Sequence, residues 1–149
     1  MKRVLWLATL FLTFLLAGCV GAQSGELVVD SAWARPSPQG APASAFYMII
    51  DNDTERQDVL LHVRSDVCDA VEIHRTSIDE EGVMRMAPVP AGQLVIPAGE
   101  SMILAPGGLH VMCVGLAEPL LEGQEVLLTL DFEVAGSIAV SAGIRQEAP

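Results

Sequence analysis

From Leu27 onward the chain is cut into short apolar runs by turn-forming residues, and that rhythm restricts it to β-structure. Turn signals stand at Pro36-Ser37-Pro38-Gln39-Gly40, Asp51-Asn52-Asp53, Asp79-Glu80-Glu81-Gly82, Pro97-Ala98-Gly99, Pro106-Gly107-Gly108, Glu122-Gly123 and Gly136-Ser137. The runs between them are rich in Val, Ile and Leu. They give candidate strands at Glu26–Arg35, Ala43–Ile50, Gln57–Val63, Val71–Thr76, Val83–Pro88, Gln93–Ile96, Ser101–Leu104, His110–Leu116, Glu125–Phe132 and Ile138–Ile144. No segment in this region keeps an apolar stripe at helical spacing over three turns. Strands this short, at these intervals, predict an all-β sandwich or barrel. A length of 149 residues fits one domain around one core.

The N-terminal segment stands apart. Lys2 and Arg3 precede an apolar run from Val4 to Leu16, the length of a signal-peptide core and short for a membrane-spanning helix. The run ends in Leu16-Ala17-Gly18-Cys19, which resembles a bacterial lipobox. The expected organisation is a lipoprotein signal peptide over 1–18, a lipidated Cys19 with a tether over 19–25, and a domain over 26–149. An ordinary signal peptide, or a single-pass anchor, would equally put the domain outside the cytoplasm. Removal of Lys2 and Arg3 takes the formal charge from −11 to −13 and leaves only arginines as bases. No basic patch remains for phosphates, so nucleic acid is not an expected partner.

With Cys19 set aside, Cys68 and Cys113 remain, and an oxidising compartment favours their pairing as a disulfide. A thiol that assists metal hand-over is the alternative. His110 and Met112 sit two apart in a strand, so they share a face while Leu109, Val111 and Cys113 point the other way. Met84 and Met86 form a similar pair, and His74 shares a face with Glu72. Imidazole with thioether is a poor set for zinc, calcium or magnesium, but it suits copper(I). Methionines that merely fill core gaps are the competing reading.

The stretch from Val71 to Leu116 resembles the PCu(A)C copper chaperone family. The likeness lies in Val71-Glu72-Ile73-His74, Gly82-Val83-Met84-Arg85-Met86, Ile96-Pro97-Ala98-Gly99 and Pro106-Gly107-Gly108-Leu109-His110-Val111-Met112. Upstream, Ala32-Trp33-Ala34-Arg35 and Ala45-Phe46-Tyr47-Met48 extend it. The resemblance implies a single-domain cupredoxin-like, immunoglobulin-like Greek-key β-sandwich that holds one Cu(I) through His74, Met86, His110 and Met112. It also implies delivery of copper to the CuA centre of cytochrome c oxidase subunit II, in concert with a Sco-type thiol protein. The chain departs from the family pattern at Val89-Pro90-Ala91-Gly92, where the loop is longer, and in lacking a His/Met-rich tail. Met84 competes with Met86, which better keeps the family spacing.

His62 reads as a solvent-facing strand residue, Met48 and Met102 as core, and Trp33 as packing near a sandwich edge. No Ser/His/Asp or Cys/His arrangement and no phosphate-binding glycine loop is present, so the chain is not expected to be an enzyme. The expected protein is a monomeric, membrane-anchored, extracytoplasmic copper(I) chaperone. An electron-transfer cupredoxin and a metal-free structural lipoprotein are the alternatives.

Overall fold

A computed structural model describes residues 25–37 and 39–149. The expected signal peptide, Cys19 and all of the tether before Gly25 lie outside these residues. Ten strands make up the fold: β1 (Leu27–Ala34), β2 (Ala43–Asn52), β3 (Asp58–Arg64), β4 (Cys68–Ile78), β5 (Met84–Pro88), β6 (Leu94–Ile96), β7 (Glu100–Leu104), β8 (Leu109–Leu116), β9 (Glu125–Phe132) and β10 (Gly136–Ile144). The described residues contain no helix. Architecture and class are those the turn rhythm predicts.

The strands join in one hydrogen-bonded path, β5-β4-β8-β2-β1-β10-β9-β3-β6, with β7 on β2. β2 changes partner along its length: Ala43–Phe46 pair with β8, and Met48–Asn52 pair with β7. The path curls until β3 comes up against β4, so its two halves face each other as the layers of a sandwich. Alternation supplies the inner faces. Val126, Leu128, Leu130 and Phe132 of β9 point inward, as do Phe46, Met48 and Ile50 of β2. A fully buried side chain of this kind contributes about 1.5–3 kcal/mol.

Two backbone irregularities shape the half that carries the candidate ligands. In β1 the register shifts between Asp30 and Trp33, where Ser31 has φ 52°. This bulge lets Ala32 and Ala34 enter the core while Trp33 pairs with Tyr47. Trp33 is thus buried on a central strand instead of packing near an edge. In β8, Gly115 has φ 70°, and a Cβ there would lie within 2.6 Å of Asp69 side-chain atoms. Only glycine fits this bend, close to the point where β8 meets the start of β4.

Two buried polar side chains tie loops to the sandwich. Asn52 donates through Nδ2 to the carbonyls of Arg56, Ile96 and Pro97 at 2.8, 3.0 and 3.1 Å, and its Oδ1 accepts from Thr54. Asp58 accepts backbone N–H groups from Val59, Val134 and Ala135. Each group thereby satisfies polar atoms that burial would otherwise leave costly.

Candidate metal centre

The register of β4 and β8 sets His74 directly opposite His110 and Glu72 opposite Met112. On this outer face the period of two collects Glu72, His74 and Thr76 from β4 with His110 and Met112 from β8. The intervening Ile73, Val111 and Cys113 face the core. The two imidazoles meet edge to face, with ring centroids 5.9 Å apart and planes at 76°. On the far side of His110 stands Tyr47, at 6.4 Å, and Trp33 packs on Tyr47 at 4.9 Å. A row of four rings therefore crosses β1, β2, β8 and β4. Burial by these neighbours raises the Tyr47 hydroxyl above its usual pKa, with the Arg35 charge opposing. His110 is 3% exposed.

Hydrogen bonds decide which ring nitrogens are left to coordinate. His110 Nδ1 lies 3.1 Å from the Gly108 carbonyl, which can only accept, so Nδ1 carries the proton and Nε2 keeps its lone pair. His74 Nε2 lies 2.7 Å from Glu72 Oε2, which places the proton on Nε2. The lone pair of His74 is then on Nδ1, which is buried and has no hydrogen-bond partner. A buried, unpartnered nitrogen is costly to keep unless something else fills its coordination. Together the two rings present unprotonated nitrogens on one sheet face, a donor set that fits a soft or borderline metal ion.

The methionines differ in their access to this face. Met112 is half-buried, one same-face position along β8 from His110. Met86 belongs to β5, an edge strand whose five residues are all exposed. It pairs with Thr76, the same-face neighbour of His74, whereas Met84 pairs with Ile78, about 7 Å further along the strand. The pairing thus brings Met86 nearer to the two histidines than Met84. Met86 is 50% exposed and Met84 67%.

Beyond Ile78 the Asp79–Gly82 turn holds the β4–β5 hairpin. Asp79 accepts the backbone N–H groups of Glu81 and Val83 and the Arg85 guanidinium, at 3.1, 2.8 and 2.6 Å. The Val83 N–H leads in holding this carboxyl below its usual range.

Cys113 is fully buried and joined to Cys68, with Cα atoms 5.4 Å apart. Neither therefore offers a thiolate to the face that carries His110. His62 is exposed on β3, opposite Asp131 of β9, and lines a groove with Glu72, Ile73 and Pro88. Met48 is in the core and Met102 packs partly against it. Among the described residues no group of three or more His, Cys, Asp or Glu side chains is placed to hold a metal ion. Sequence reasoning placed Glu72 beside His74 but gave it no role, and Tyr47 entered only through a family likeness. The parity of Glu72-Ile73-His74 was the available signal for the first. Tyr47 needed the β2–β8 register.

An outer sheet face that carries paired imidazoles and thioethers, on ten strands with no helix among the described residues, defines a cupredoxin-like β fold of the PCuAC type. The chain belongs to the family of LpqE-like putative lipoproteins, whose family model matches residues 27–144. A putative lipoprotein of Leifsonia xyli, Lxx21020, is 28% identical over 125 residues, covering 84% of this chain and 73% of that protein. The copper-bound PCuAC domain from PmoF2 superposes with a TM-score of 0.68 at 28% identity, covering 85% of this chain and 96% of the domain. The CuI-DR1885 solution structure from Deinococcus radiodurans gives 0.65 at 27% identity, covering 88% and 86%.

Proposed function

We propose that this protein is an extracytoplasmic copper(I) chaperone, tethered to a membrane through lipidated Cys19, that binds one Cu(I) through His74, Met86, His110 and Met112. The observation that carries the reading is the pair of imidazole lone pairs, one of them buried and unpartnered, left by the hydrogen bonds to Glu72 and Gly108. The likeness to a copper-bound PCuAC domain and to CuI-DR1885 supports copper as the cargo, and the putative-lipoprotein relative supports the anchor. Copper(I) is a soft ion that accepts neutral nitrogen and sulfur donors. The face supplies those donors and no thiolate that would hold the ion too tightly to release.

Transfer proceeds by ligand exchange, with no covalent chemistry. Met86 stands half-exposed on a free edge, so an incoming donor displaces it first; His110, almost wholly buried, is released last. The acceptor in this reading is the CuA centre of cytochrome c oxidase subunit II, with a Sco-type thiol protein as a further partner. An electron-transfer cupredoxin would need a cysteine thiolate in the coordination sphere, and Cys68 and Cys113 are occupied with each other.

An anaerobic Cu(I) titration against a chromogenic chelator tests the proposal. One tight equivalent of Cu(I) is expected; an absence of retained copper would reject it.

A further inference from the structure

We infer that Glu72 is a positioning residue for the metal centre: its carboxylate fixes the tautomer of His74, so that His74 binds copper through Nδ1 while His110 binds through Nε2. This rests on the copper reading above and specifies how its two imidazoles are used. The geometry is asymmetric. His110 donates from Nδ1 to the backbone carbonyl of Gly108 in the turn before β8, a carbonyl that also accepts the Thr76 N–H of β4 at 3.0 Å. His74 donates from Nε2 to a side chain two residues earlier on the same face of β4, at 2.7 Å. The Glu72 carboxylate is 54% exposed and the His74 side chain only 15%, so the acid reaches over from the rim while the ring stays sheltered.

The alternative to an oriented neutral ring is a simple ion pair between Glu72 and an imidazolium. That arrangement would put a second N–H at Nδ1, in a buried spot where no acceptor stands. A bare lone pair at that spot is explained if a metal ion fills it. A carboxylate that holds the distal nitrogen of a ligating histidine fixes ring orientation and makes the ligand more basic, and loss of such a partner typically lowers metal affinity about 10–100-fold. Glu72 is also the cross-strand neighbour of Met112. Its negative charge therefore lies beside the donor set and partly offsets that of a bound monovalent cation.

The test is long-range ¹H–¹⁵N correlation of the histidine rings in the full chain held in detergent, before and after anaerobic loading with Cu(I). Without metal, His74 should appear as the Nε2–H tautomer and His110 as the Nδ1–H tautomer. With copper, the nitrogens that shift should be Nδ1 of His74 and Nε2 of His110, and both protonated nitrogens should stay protonated. Glu72→Ala should give His74 mixed tautomers in the metal-free protein and lower affinity about 10–100-fold, with little change in melting temperature. Glu72→Gln, which keeps an acceptor oxygen, should restore the tautomer and most of the affinity. Copper on Nε2 of His74 in the wild type overturns the inference, as does a Glu72→Ala protein with unchanged tautomer and affinity. If the wild type takes up no copper, the chaperone reading falls. The metal-free spectrum then decides Glu72 alone: Nδ1–H on His74 rejects its hold, and Nε2–H supports it.

Discussion

Met86→Leu separates a ligand from a packing residue more sharply than any other single change. The two side chains are close in volume, and such swaps cost under about 1.5 kcal/mol even when fully buried. Met86 is 50% exposed on an edge strand, so roughly half of that limit applies, below about 0.8 kcal/mol. For a domain of this size the metal-free melting temperature should then fall by less than about 3 °C. If the sulfur is a ligand, anaerobic competition with a copper(I) chelator should show affinity falling more than about tenfold, or about 1.4 kcal/mol. Met84→Leu is the control: it removes a thioether from the same strand face, about 7 Å further from His74 along the strand. Its affinity should stay within about threefold of wild type, a difference under about 0.7 kcal/mol. Greater loss with Met84→Leu than with Met86→Leu would refute the assignment by register. Loss with neither would make both methionines plain surface residues.

Three further changes probe the scaffold. Reduction of Cys68–Cys113, which closes a loop across 45 positions, should lower stability by about 4 kcal/mol on the chain-entropy estimate; an unmoved denaturant midpoint under reducing conditions would contradict this. Asn52→Ala removes the anchor of three backbone carbonyls and should cost about 2–3 kcal/mol in urea unfolding, and a loss below about 1 kcal/mol would show that water replaces it. Asp131 is held at about 2, chiefly by its hydrogen bond from Arg64 and then by Ser137, against an ordinary value of 3.8. Because folding depresses this pKa, its contribution is present above about pH 4 and is lost as the pH falls through about 2, so Asp131→Asn should flatten the fall in melting temperature over that window.

The strand and turn rhythm made the class of fold legible because it depends on neighbours in sequence. Same-face pairs such as His110 with Met112 were legible for the same reason. Whether His74 stands opposite His110 was not. That depends on the pairing of two segments far apart in the chain, and a slip of one residue would have sent one imidazole to the core. Local irregularities hid the rest. Ser31 carries the bulge that sets Trp33 against Tyr47, and Gly115 carries the bend in β8 near the start of β4, yet neither residue type announces such a role within an apolar run. Asn52 looked like an ordinary turn residue in Asp51-Asn52-Asp53, yet two of the carbonyls it holds lie more than forty positions away.

The placement of the four proposed donors also bears on how a chaperone can bind tightly and still let go. A site made wholly of buried ligands would release its ion only if the fold opened, and β4 and β8 are joined along most of their length and covalently linked by Cys68–Cys113. A site made wholly of exposed ligands would lose the ion to any competing donor. Here the proposed donors are graded: His110 nearly buried, His74 sheltered, Met112 half-buried and Met86 half-exposed on a strand with one free edge. On the proposed reading, an acceptor needs to displace only Met86 to begin transfer, without disturbing the β4–β8 pairing. The hairpin that presents Met86 is in turn held at its tip by Asp79, whose carboxylate ties together Glu81, Val83 and Arg85. Loosening that tip should therefore speed the release of copper to a competing chelator more than it lowers the stability of the domain.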